Sequence, residues 1–253
     1  MTKSMNARAQ RHEPGTLWHN SGEPDRCPAP PVPAPLTAVR AAGPVTQPPG
    51  ATLPPPPMRL RDHVGRLFDG MIAASSLSSN EPVLDVRDFA WTATLRRDWR
   101  AIRDEALART DEDGPLPTAC GTIALWRDGR AVGDDCPRTL AALAAIPGLH
   151  DAAFARLSPG AHVLSRHGTT KALVTCHLGL VVPRDGGARM RVRDRIVRWA
   201  EGETLVFDDT YSHEAWNDAQ AARVILHLRF ARPLRQPGRM IADTILRLLA
   251  TRG

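Results

Sequence analysis

The sequence predicts a mainly β domain, a sandwich or barrel of short strands, with helices before it and one helix closing it. Three observations carry this expectation. Beyond Phe154 the chain breaks into short aliphatic and β-branched runs, punctuated by turns such as Asp185-Gly186-Gly187 and Glu201-Gly202-Glu203. Closely spaced runs of this kind fold as two packed sheets or a closed one. Between Met58 and Ile146 apolar residues recur instead at helical spacing. Finally, 42% of the 253 residues are hydrophobic, enough to fill a core. No apolar run reaches the roughly 18 residues that a membrane-spanning helix needs.

Residues 1–57 hold 14 of the 23 prolines. Proline cannot donate a backbone hydrogen bond or enter a helix interior, and few large apolar side chains are present to offset ordering. This segment is read as a disordered leader, partly polyproline II, that acts as a tether. The first residues lack the apolar centre of a signal peptide, so a reducing cytoplasm is expected. Cys27, Cys120, Cys136 and Cys176 form no CxxC pair, which argues against zinc.

Residues 58–253 are expected as one domain: helical support over 58–150, the strands over 151–234, and a closing helix over 235–253. Leu60, Val64, Leu67, Phe68 and Met71 mark a first helix, and Trp99, Ile102, Ala106 and Leu107 a second. Pro137 sits early in a third, Arg138 to Ile146, which stops at Pro147-Gly148. Strands are read at Ala161–Leu164, Ala172–Val182, Met190–Val192, Ile196–Trp199, Thr204–Phe207 and Arg223–Phe230. Met240, Ile241, Ile245, Leu248 and Leu249 share one side of the last helix.

The formal net charge is +6. The arginines are dispersed and not interleaved with aromatics, which reads as a solvated surface and not a nucleic-acid interface. His167, His177 and His213 are placed at strand edges or turns of the β region. Two imidazoles from opposite edges of a barrel can bind one Fe(II) and leave positions open for a cosubstrate and oxygen. Taken alone, a histidine in a strand is more often packed or solvated.

Longer motifs are more specific. Cys136-Pro137-Arg138-Thr139, Leu157-Ser158-Pro159-Gly160-Ala161-His162-Val163 and Cys176-His177-Leu178-Gly179-Leu180-Val181-Val182-Pro183 occur in that order. Trp199-Ala200-Glu201-Gly202, Phe207-Asp208-Asp209 and His213-Glu214-Ala215-Trp216-Asn217-Asp218 follow them. Together, from about Trp126 to Leu234, they resemble the aspartyl/asparaginyl β-hydroxylase family. The resemblance implies a double-stranded β-helix, a cupin-like jelly roll. It implies enzymes that use Fe(II), 2-oxoglutarate and O₂ to hydroxylate Asp or Asn side chains or, in related members, acyl chains, releasing succinate and CO₂. Iron in such enzymes is held by two histidines and a water, without a carboxylate.

Carried over by position, His213 resembles the distal iron ligand, and Arg223 the arginine that pairs with the far carboxylate of 2-oxoglutarate. His177 resembles the histidine near the iron that contacts cosubstrate or substrate. The proximal motif, His-x-Gly-Pro-Thr-Asn in the family, reads Ser165-Arg166-His167-Gly168-Thr169-Thr170-Lys171 here. Counting without a gap puts Arg166 at the ligand position, and a shift of one residue puts His167 there. A cation cannot bind iron, so His167 is taken as the ligand. Asp208 and Asp209 match positions that orient His213 or cap its turn. Thr175 stands where the family has an arginine and Ala155 where it has a serine, which removes two contacts to carboxylated groups.

The resulting expectation is a 2-oxoglutarate-dependent dioxygenase acting on an amino-acid side chain, free, carrier-bound or in a peptide. Its partners are a small-molecule or peptide substrate, with no nucleic acid or membrane. The alternative is a non-catalytic β-helix binding module with a degraded iron site.

Overall fold

A computed structural model describes residues 60–110 and 120–250. The proline-rich leader lies outside the described residues. In chain order the elements are α1 (Leu60–Ala74), β1 (Val83–Leu84), α2 (Thr92–Thr110), β2 (Cys120–Arg127), β3 (Arg130–Ala131), α3 (Pro137–Ala144), β4 (Leu149–Leu157) and β5 (His162–Arg166). They continue as β6 (Leu173–Val181), β7 (Ala188–Val192), β8 (Arg195–Arg198), β9 (Thr204–Phe207), β10 (His213–Asn217), β11 (Arg223–Ala231) and α4 (Gly238–Ala250).

The strands form two antiparallel sheets, ordered β1-β9-β6-β11-β4-β2-β3 and β5-β10-β7-β8. From β4 to β11 the chain crosses repeatedly between them, so that each sheet receives four of these eight strands. This winding is the double-stranded β-helix, with helices at both ends. Successive side chains of a strand point to opposite faces, and the large sheet is buried on both. Its outer face sets Phe154, Leu178, Leu226 and Phe230 against Leu95 and Ile102 of α2 and Leu143 of α3. Its inner face meets the small sheet through Leu157, Ile225, Phe207, Met190 and Val192. Each fully buried side chain of this size stabilises by about 1.5–3 kcal/mol. Nearly every residue of β6 is buried, which explains its unbroken apolar run.

Two expectations change. The stretch 58–150 is not helical support alone, because β2, β3 and the first residues of β4 lie in it and complete the large sheet. β2 gives a weak strand signal because its inner face carries Cys120, Thr122 and Ala124 against a cavity, with no apolar alternation. β10 is also a strand, pinned between β5 and β7, although its sequence reads as a turn motif. Cys120, Cys136 and Cys176 carry no disulfide. Among the described residues no helix is long and apolar enough to cross a membrane.

One buried ion cluster joins four parts of the chain. Asp208, at the end of β9, is fully buried, and its Oδ2 accepts from Arg232 Nη2 at 2.6 Å and Lys171 Nζ at 2.7 Å. Its Oδ1 accepts from the Thr210 amide and hydroxyl, at 3.0 and 2.5 Å. Arg232 also donates through Nε to the Lys171 carbonyl, and the Lys171 amide donates to Asp69 of α1. Burial works to raise the Asp208 pKa, but Arg232, Lys171 and Thr210 outweigh it and hold the carboxyl below its ordinary value.

Breaking a buried pair by removing one partner costs about 3–5 kcal/mol. Asp208→Ala is therefore expected to lose about that much in urea unfolding at neutral pH. The pH dependence follows from the lowered pKa. The carboxylate contributes fully above its unfolded value, near pH 4, and its contribution is lost as pH falls through the folded value. Stability measured down the acid limb is expected to fall less steeply in Asp208→Asn than in the parent.

Candidate metal and cosubstrate site

Between the two sheets lies a cavity of about 870 Å³. The inner-facing residues of the large sheet line it at every second position. On β11 these are Arg223, Ile225, His227 and Arg229, on β6 Thr175 and His177, and on β4 Ala153 and Ala155. The small sheet and its loops add Arg166, His167 and His213. The structure thus brings all four sequence-predicted site residues, His167, His177, His213 and Arg223, to one cavity.

His213 opens β10 opposite Arg166 of β5 and Val192 of β7. Its Nδ1 lies 3.0 Å from the Tyr211 carbonyl. A carbonyl only accepts, so Nδ1 carries the proton and the Nε2 lone pair is left open. Burial lowers the pKa of this ring, which favours the neutral form. His167, just past β5, makes the same contact one residue earlier, with Nδ1 3.2 Å from the Thr210 carbonyl. Successive carbonyls of one turn therefore set both rings in the same tautomer.

The loop after His167 is held against that turn. The Gly168 amide donates to the Asp209 carbonyl at 2.7 Å, and Thr175 Oγ1 donates to Asp209 Oδ2 at 2.9 Å. A Cβ on residue 168 would collide with the Asp209 carboxylate, so only glycine fits. Asp208 caps the same turn through Thr210. The pairing of β10 with β5 slips between His213 and Ala215, where three steps on β5 match two on β10. One extra residue thus sits on β5 just before Arg166, a bulge of the kind that re-aims its neighbours.

His177 lies in the middle of β6, not at a strand edge. Both its ring nitrogens are engaged: Trp199 Nε1 donates to Nδ1 at 3.2 Å, and Nε2 lies 2.9 Å from Nδ1 of His227. Burial, then the charges around it, push its pKa well down. His227 was not singled out by sequence. The signal was there in the alternation of β11, since Arg223, Ile225 and His227 share one face.

Arg223 is only 5% exposed and makes no ion pair among the described residues. Its guanidinium lies 4.4 Å over the Trp199 ring, and its Nε has no hydrogen-bond partner. Burial lowers its pKa to about 10. A buried guanidinium without an anion is a ready seat for a ligand carboxylate, bound in a bidentate fork. Arg166 is exposed, yet its charge helps to lower the pKa values of His177, His213 and His227.

Among the described residues, the one cluster of three metal-capable side chains is Asp128, His150 and Asp151. It shares no residue with the predicted ligands, and Asp151 is already paired with His150 and Arg229. No carboxylate joins His167 and His213 in such a cluster. Two neutral imidazoles are chemically suited to hold a divalent metal such as iron, with further positions left for other ligands.

The model of the aspartyl/asparaginyl β-hydroxylase family matches residues 96–233. The ornithine lipid ester-linked acyl 2-hydroxylase of Rhizobium tropici is 33% identical over 218 residues, covering 76% of this chain and 78% of that protein. The human aspartyl/asparaginyl β-hydroxylase is 33% identical over 150 residues, 52% of this chain but 20% of that protein. A mouse aspartate β-hydroxylase domain-containing protein 1 is 33% identical over 135 residues, 50% of this chain and 33% of that protein. With more than half of its length matched by the family model and its β-helix wound around this cavity, the chain belongs to the aspartyl/asparaginyl β-hydroxylase family.

Proposed function

We propose that this protein is an Fe(II)- and 2-oxoglutarate-dependent hydroxylase. It acts on a carbon beside a carbonyl, in an amino-acid side chain or an acyl chain. The observation that carries the reading is the matched pair His167 and His213, each anchored by Nδ1–H to a neighbouring carbonyl and each offering Nε2. His167 is preferred to Arg166 as the partner of His213 because a cation cannot bind iron, and because the bulge on β5 lies beside the strand end where the ladder sets Arg166 opposite His213.

His167 and His213 would hold iron through Nε2, and Arg223 would take the far carboxylate of 2-oxoglutarate. Iron with 2-oxoglutarate and O₂ supplies the oxidising chemistry, one oxygen atom passing to the product and the other to succinate as CO₂ leaves. The protein's part is placement. Trp199 supports the Arg223 guanidinium from below, and His177 holds Trp199 by its indole N–H. His177 thereby acts on the cosubstrate through Trp199, with neither of its nitrogens left over. Asp209 and Asp208 fix the turn that orients both iron ligands.

Small side chains, Ala153 and Ala155 of β4 and Ala124 of β2, line part of the cavity. The relatives named for acyl and for aspartyl or asparaginyl hydroxylation share one feature: the carbon modified stands next to a carbonyl. A small molecule or peptide presenting such a carbon is the substrate class that this reading implies.

Anaerobic protein mixed with Fe(II) and 2-oxoglutarate should show the weak visible charge-transfer band of a chelated cosubstrate. His213→Ala and His167→Ala are expected to abolish it, and Arg166→Ala to keep it. A band that survives His167→Ala and disappears in Arg166→Ala would reverse the register. If the parent protein shows no band, the binding-module reading replaces this one. Truncating one partner of a buried charge pair costs about 2–5 kcal/mol. Titration of the band in Arg223→Met should therefore show 2-oxoglutarate affinity weakened at least about 30-fold.

A further inference from the structure

Trp199, His177 and His227 form a chain whose protons have one arrangement. An indole N–H can only donate, so Trp199 makes Nδ1 of His177 an acceptor. The neutral His177 ring then carries its proton on Nε2 and donates it to Nδ1 of His227. His227 in turn must carry its own proton on Nε2. That atom has no hydrogen-bond partner among the described residues, and His227 lines the cavity. Burial, with the charges of Arg229 and Arg166, lowers the His227 pKa to about 3, so the donor is uncharged at neutral pH.

The surroundings indicate what this donor meets. His227 lies opposite Ala153 in the β11–β4 pairing, and Ala155 is the next residue on the same face of β4. The next charged side chain along β11, Arg229, is paired with Asp151. Arg223 stands four residues away on the same strand face, roughly 13 Å along the backbone at about 3.3 Å per residue. The two donors thus stand apart in the cavity: a buried cation that would take the cosubstrate carboxylate, and a neutral N–H beside the small side chains of Ala153 and Ala155. The charges that reach His227 come from Arg229, already paired with Asp151, and from Arg166 on the other sheet. The N–H itself offers a carboxylate no charge, whereas one hydrogen bond satisfies a neutral carbonyl.

We propose that His227 reads the substrate: its Nε2–H hydrogen-bonds the neutral ester or amide carbonyl beside the carbon to be hydroxylated, and so selects acyl substrates over free carboxylates. The inference rests on the hydroxylase reading for its chemistry, but the proton arrangement can be measured without iron.

In the metal-free full-length protein, ¹⁵N-detected imidazole spectra at pH 7 are expected to show His177 and His227 both neutral and both protonated on Nε2. Adding an O-acyl amino-acid ester should shift the His227 Nε2–H signal, and an aspartyl peptide should not. A His227 ring protonated on Nδ1, or charged, overturns the proposal, whatever becomes of the iron site. So does an Nε2–H signal indifferent to the ester. In the iron-loaded protein, His227→Leu should raise the KM for the acyl ester about three- to tenfold, the worth of one neutral hydrogen bond. Its 2-oxoglutarate affinity, read from the charge-transfer band, should fall less than its affinity for the acyl ester, because His227 reaches Arg223 only through His177 and Trp199. His227→Arg should shift the ratio of aspartyl-peptide to acyl-ester turnover about tenfold toward the peptide, because it supplies the missing cation. An unchanged KM in His227→Leu, with thermal stability retained, overturns the proposal. So does a loss of 2-oxoglutarate affinity as large as the loss of substrate affinity.

Discussion

Asp208 binds two cations and a turn where almost no water reaches, and the geometry of the site depends on that knot. Lys171 leads into β6, Arg232 follows β11, and Thr210 belongs to the turn from which β10 departs. β6 and β11 carry His177, Arg223 and His227. The turn supplies the two carbonyls on which His167 and His213 hang. A single carboxylate thus sets the position of the large sheet relative to the turn that crosses to the small one. Nothing in the knot points into the cavity for use there. Its effect is to make the ligand turn a rigid part of the sheet instead of a surface loop, as a precise site requires.

The double-stranded β-helix was legible where one physical signal dominated. β6 and β11 are nine residues long and mostly buried, so their apolar runs survive in the sequence although one face of each lines the cavity. β2 and β10 were not legible: β2 has only two buried residues and sets Cys120, Thr122 and Ala124 on the cavity, and β10 is short and carries His213, Glu214 and Asn217 among its five residues. A strand that lines a cavity carries small or polar residues where a strand in a packed core would carry Val or Leu, and the alternation that marks it disappears. α2 and α3 showed the reverse, since their buried apolar residues meet the outer face of the sheet, whereas α1 and α4 share a small cluster of their own and leave Leu67, Met240 and Leu248 exposed.

What the sequence offered for the site was a set of residues and not their wiring. Motif resemblance picked out His167, His177, His213 and Arg223, and all four reach one cavity. It could not show that His177 has no nitrogen to spare, because that follows from Trp199, a residue that reads as a marker of the fold. His227 was passed over because it belongs to no motif. The alternation of β11 puts it on the face of Arg223, and the pairing of β11 with β6 sets it beside His177. The choice between Arg166 and His167 turned on chemistry, since counting against the family motif and the pairing of β10 with β5 both bring Arg166 to His213.

The alanines under the cavity carry a different kind of information. Ala124, Ala153 and Ala155 come from two adjacent strands and form a floor with almost no side chain on it. Each is a place where a larger residue would stand up into the cavity. Such a floor acts as a ruler with its marks removed. A methyl group added at one of these positions would set a length limit without disturbing the histidines or the arginine, which project from other positions. The reach of the cavity and its chemistry are therefore separately adjustable, so the fold can change which molecules it admits while keeping what it does to them.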